Sequence, residues 1–125
     1  MKYESAYDIE EKTRKIIEKL NFNHIQPENI ACIRSFGSKS NAIARCHALG
    51  KVMQKAMKRN AFYTLEFISK RFDKMTQEEQ IKTIIHELMH IPKCFGGGFK
   101  HHDYVTERNI NLLYKKFIDE TGGLI

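Results

Sequence analysis

The chain of 125 residues contains no tryptophan, two prolines and three cysteines. Cys32, Cys46 and Cys94 form an odd set without a CxxC pair, so neither a disulfide framework nor a cysteine-rich zinc knuckle can be built from them. Long apolar runs are also missing. No stretch approaches the ~18 uncharged apolar residues of a spanning helix, and the opening MKYESAYDIEEKTRK lacks an apolar signal core. We therefore expect a non-membrane, cytoplasmic protein. Linkers, low-complexity segments and internal repeats are absent, which leads us to expect one domain over residues 1–125, large enough to bury roughly two-thirds of its unfolded surface. Acidic residues are the minority, 15 against 21 Lys and Arg, for a formal charge of +6. The basic residues are scattered with no run of five, and such a surplus attracts nucleic acid or acidic surfaces without specifying a partner.

What is present reads as alternating helical and extended segments. From Ser5 the residues Ala6, Ile9, Ile16, Ile17 and Leu20 recur at helical spacing, predicting an amphipathic first helix that stops at Asn21. Ile30 to Phe36 is rich in β-formers and closed by Gly37-Ser38, the pattern of a strand. Ala42 to Leu49 fits a second strand or a helix start, and Gly50 to Asn60 a short helix or irregular crossover. Tyr63, Leu65 and Phe67 alternate with Thr64 and Glu66, which predicts a half-buried strand from Ala61 to Ile68. Thr76 and Glu79 spell a capping box before Ile81, Ile84, Ile85 and Leu88, and Pro92 ends that helix. Asp103 or Thr106 opens a last helix, with Ile110, Leu113, Tyr114, Phe117 and Ile118 inward and Gly122-Gly123 as its stop.

The chemistry is concentrated in His86-Glu87-Leu88-Met89-His90, an HExxH motif. With six His and eleven Glu, chance alone would produce it with a probability of roughly 0.025, so its setting must carry the argument. Histidines four apart on a helix stand one turn apart, where both imidazoles can bind one tetrahedral zinc. On a wheel of about 100° per residue, Ile84, Ile85 and Leu88 fall within about 60° of Ile81, and the two histidines at about 140° and 180°. They face away from the core. Glu87 lies beside that face, where its carboxylate can take a proton from a zinc-activated water and return it to a leaving amine.

A catalytic zinc needs a third protein ligand and one open position. Cys94 continues the i+4 series, but Pro92 breaks the helix and turns it off that face. His101 and His102 are better placed, because the loop from Ile91 can double back through Gly96-Gly97-Gly98. Asp103 and Glu107 are the remaining candidates. Tyr104 is placed to donate to a developing oxyanion. Arg34 and Arg45 are candidates for a substrate carboxylate. His24 and His47 have no spaced partner and read as surface or core histidines.

The segment HELMHIPKCFGGGFKHHDYV resembles the signature of the phage-type and archaeal metallopeptidases, in which HExxH is followed by Ile-Pro, a glycine-bearing loop and a later histidine. Arg34 to Ser40, Ala42 to Arg45 and Phe67 to Asp73 are similar to that family too, so the resemblance spans about Ile30 to Phe117. It implies a minimal zincin-like fold, with His86, His90 and a downstream histidine as ligands and Glu87 as base. The family's loop pattern aligns His102 with the later histidine and leaves His101 second. Lys93 and Gly96 stand where a metzincin has its glycine and third ligand, and Glu107 lacks the setting of a gluzincin ligand.

These readings converge on an α+β zinc peptidase, with a small mixed sheet packed on the HExxH helix and helices at both ends. Ala61 to Ile68 would be an edge strand offering backbone groups to an extended peptide. The alternative is a nucleic-acid-associated protein, either with a structural zinc site or as a protease acting on DNA-bound proteins. A non-catalytic module carrying a relic motif is disfavoured by the intact Glu87.

Overall fold

The computed structural model describes residues 1–122. Among these, a four-stranded mixed sheet and five α-helices follow the order β1 (Lys2–Ser5), α1 (Tyr7–Lys19), a 3₁₀ turn (Pro27–Asn29), β2 (Ile30–Phe36), β3 (Ala44–Ala48), α2 (Lys51–Met57), β4 (Tyr63–Ile68), α3 (Ser69–Phe72), α4 (Gln77–Met89) and α5 (Glu107–Thr121). The α+β expectation holds. β1 is an addition, since four exposed residues at a sheet edge leave no apolar pattern to read. Ala42 to Leu49 resolves as strand and Gly50 to Asn60 as a short helix. No helix among the described residues is long and apolar enough to cross a membrane.

The strand order is β1-β2-β4-β3, with β2 and β4 parallel and both outer pairings antiparallel. This corrects the expected edge. β4 is an interior strand, and the edge beside the HExxH helix is β3. The alternation that suggested a half-exposed strand arises because Glu66 lies on the polar sheet face, where the neighbouring strand β3 covers it. His47 Nε2 stands 2.7 Å from its carboxylate and Arg45 Nη1 3.7 Å.

On the opposite face, period two brings Tyr63, Leu65 and Phe67 together, and register adds Cys32 from β2 and Cys46 from β3. The helices cover this face. α1 reaches it through Thr13, whose hydroxyl lies 3.5 Å from the Cys32 sulfur, and α4 contributes Ile84, Ile85 and Leu88 to the same buried cluster. α5 adds Ile110 and Phe117.

α4 begins where the sequence says it should. Thr76 Oγ1 accepts from the Glu79 amide at 3.2 Å while Glu79 accepts from the Thr76 amide at 3.0 Å, a reciprocal pair that satisfies two otherwise free donors. α5 is capped by Thr106 rather than Asp103 and ends on Gly122 at φ +66°, a left-handed position that costs glycine nothing. Gly123, the second residue of the expected stop, lies outside the described residues.

Candidate metal centre

The α4 helix turns its apolar stripe into the core and so presents His86 and His90 to a cavity of about 400 Å³. One wall is the edge strand, through Ala44, Arg45 and Cys46; the other is the returning segment from Phe99 to His102. His102 completes a cluster in which the ligating atoms of His86, His90 and His102 all lie within 4.8 Å of one another. The rings stand 5.1 Å (His86–His90), 5.7 Å (His86–His102) and 4.9 Å (His90–His102) apart between centroids.

The loop returns because His90 holds it. Its backbone carbonyl accepts from the Lys100 amide at 2.7 Å, and its Nδ1 lies 2.7 Å from the Lys100 carbonyl. A carbonyl can only accept, so Nδ1 carries the proton and Nε2 keeps a lone pair for a metal. Tyr63 and Gln54 hold the glycines. The Tyr63 hydroxyl donates to the Gly98 carbonyl at 2.8 Å and accepts from the Gly97 amide at 2.9 Å, while Gln54 Nε2 donates to Leu49 and Gly96 carbonyls at 2.7 and 3.0 Å. Gly97 sits at φ +103°, and a Cβ there would meet Gln54 and the Leu49 carbonyl at 2.7 Å, so only glycine fits. Neither Tyr63 nor Gln54 carries a motif. Their roles depend on a contact some 35 or 42 residues away in the chain, which no local pattern announces.

Three imidazoles whose ligand atoms lie this close, beside one cavity, are a donor set that could hold a divalent ion of the kind that takes nitrogen ligands. His86 is neutral, the ligating form, since burial together with His90 and His102 holds it down at about 4. Glu87 is 6% exposed and burial pushes its carboxyl up to about 7. It lines the same cavity, with Oε2 3.9 Å from His86 Nε2, and is not one of the three clustered residues.

The other candidates separate clearly. His101 lines the cavity but stands outside the cluster. Cys94 is exposed and stands outside the histidine cluster. Tyr104 is exposed and does not line the cavity; its carbonyl accepts from Asn109 and Lys100 lies over its ring. Arg34 is not brought to the cavity either, because its guanidinium is clamped between Asp8 and Asp73. Asp103 is exposed and unclustered, while Glu107 borders a second hollow. That hollow, about 630 Å³, shares His86 and Glu87 with the first and is walled by Ile43, Met75, Val105 and Ile110.

No curated protein and no solved structure matches the chain. A family model does. Residues 1–121 match the one described as "Putative phage metallopeptidase", a span that includes every strand, α4 and the histidine cluster, and the chain belongs to that family.

Proposed function

We propose that this chain is a zinc-dependent peptidase, with His86, His90 and His102 as metal ligands and Glu87 as general base. The observation that carries the reading is the convergence of three histidines, from α4 and from the returning segment, on one cavity with a buried, non-clustered carboxylate beside them. A zinc ion held by these histidines would supply Lewis-acid activation of a water. Glu87, on the cavity side, would accept that water's proton and return it to the leaving amine. β3 pairs on one side only, so its outer edge is available to an extended peptide, and the Ile43–Met75–Val105–Ile110 hollow accepts an apolar side chain next to the scissile bond.

The test is Glu87→Gln, which keeps shape and hydrogen-bonding reach while removing the proton acceptor. Zinc content and melting temperature should stay near those of the parent, and cleavage of an unfolded protein substrate should drop by ~10²- to 10⁴-fold. Equal cleavage by both forms removes Glu87 from the reaction. Loss of zinc in the variant makes it a metal support instead.

A further inference from the structure

Cations are spread along the chain, but acids are not. Between Asn29 and Leu65 there is no Asp or Glu, while Arg34, Lys39, Arg45, Lys51, Lys55, Lys58 and Arg59 all fall there. The rest of the molecule, with fourteen cations and fifteen acids, is close to neutral. The whole positive surplus therefore belongs to one stretch. Two of its members are spent internally, Arg34 on Asp8 and Asp73 and Arg45 on Glu66.

Among the described residues Lys51, Lys55 and Lys58 make no ion pair, and the Arg59 guanidinium meets Asn29 and the ring of Phe62. These four line one hollow of about 600 Å³ together with the side-chain amides of Gln54 and Asn60. Lys51 and Lys55 stand on α2, which buries none of its residues, and Lys58 and Arg59 follow directly after its end. Packing thus explains little of its composition. At about 100° per residue Lys51 and Lys55 share one face of α2, with Val52, Met53 and Met57 off it, and Lys58, which ends the helix at φ +54°, lines the same hollow.

We propose that this hollow binds the sugar–phosphate backbone of a nucleic acid, independently of whether the metal centre cleaves peptides. Four cations without an ion pair among the described residues, with the Asn60 amide beside them and Gln54 already committed to the Leu49 and Gly96 carbonyls, suit a chain of phosphates, whose recognition rests on charge and needs no apolar anchor. A bilayer fits less well. Its flat surface does not enter a hollow, and contact through the lysine face leaves Val52, 83% exposed, in water. An acidic protein partner would be expected to find an aromatic or apolar centre among the cations, and none lines the hollow.

The experiment is fluorescence anisotropy of labelled mixed-sequence 20-mers, single-stranded and duplex, against the full chain at 50 and 200 mM salt. With four phosphate contacts, log affinity falls against log salt with a slope of about −3.6 on duplex or −2.8 on single strands, so that affinity drops roughly 10²-fold over this range. Substituting Lys51, Lys55 and Lys58 together by Gln should cost at least ~30-fold at 50 mM and flatten the slope to about −1. A Lys→Glu triple at the same positions should lose more. Lys74, Lys115 and Lys116 are exposed elsewhere, and their joint replacement by Gln should leave affinity within ~3-fold. No binding at 50 mM, equal losses in both Gln triples, or tighter binding to phosphatidylserine vesicles or polyglutamate than to DNA would each overturn the proposal. Circular dichroism of every variant shows whether the fold is kept. If one Lys triple fails to fold, the other is read in its place.

Discussion

Arg34 shows how a single side chain can be withdrawn from a role that its residue type suggests. Its guanidinium donates to both Asp8 oxygens at 2.7 and 2.8 Å and to Asp73 at 3.2 Å, tying the start of α1 and the end of α3 to β2. The Arg34 hydrogen bond is the main reason the Asp8 carboxyl sits below its usual 3.8. A carboxyl lowered on folding contributes stability above its unfolded value and loses it as pH falls through the folded one. Asp8→Asn should therefore destabilise the protein at pH 7, by no more than ~1 kcal/mol because the Asp8 side chain is 57% exposed, and the gap from the parent should narrow below pH 3.8. Urea melts at neutral and acid pH measure this; a gap that widens toward acid contradicts it. The thiols differ just as sharply. Burial pushes Cys32 and Cys46 up to about 12, whereas Cys94 is exposed. At pH 8 the thiolate fraction of a group near 12 is on the order of 10⁻⁴, so iodoacetamide should label Cys94 well before Cys32, as peptide mass spectrometry would record. Equal labelling would mean that the Cys32 side of the core opens readily.

At the scale of elements, the site depends on an interior strand holding a loop. Tyr63 on β4 is fully buried, packs edge-on against Phe95 at 4.9 Å, and spends its hydroxyl on Gly97 and Gly98. Phe95 itself sits at φ +47°, a left-handed conformation that this packing holds in place. Tyr63→Phe keeps the ring and leaves the Gly97 amide and Gly98 carbonyl without their partner. Supporting contacts of this kind are typically worth ~10- to 100-fold in metal affinity, and a competitive chelator titration should show zinc held at least ~10-fold more weakly by the variant. Unchanged affinity would mean that His90 and its bonds to Lys100 position the loop alone. The helix α4 was legible in the sequence, because a capping box, an apolar period and a proline stop are all local. Strand order was not. The alternation Tyr63–Thr64–Leu65–Glu66–Phe67 is the same for an edge strand as for an interior strand with one polar face, and the choice rests on Arg45 and His47, which come from a strand paired only in space.

For the whole molecule, the strands and helices divide the work. The sheet and the helices α1, α3, α4 and α5 bury one continuous apolar cluster, and the polar groups of interest lie at its rim, where the edge strand, α4 and the returning loop meet. That His86, Glu87 and His90 would come to one cavity was readable from the motif's spacing together with its helical setting. The preference for His102 over His101 came from a family resemblance, and in the folded chain His102 is the one clustered with the other two. What the sequence hid was long-range: the supports Tyr63 and Gln54 and the occupied state of Arg34. The account stands on the metal. Titrating zinc into chelator-treated parent, His101→Ala and His102→Ala proteins, with stoichiometry read by elemental analysis, tests it most directly. We expect one zinc per chain in the parent and in His101→Ala, and loss of most zinc affinity in His102→Ala; a parent that takes up no zinc, or a His102→Ala protein that binds it as tightly as the parent, would contradict the assignment.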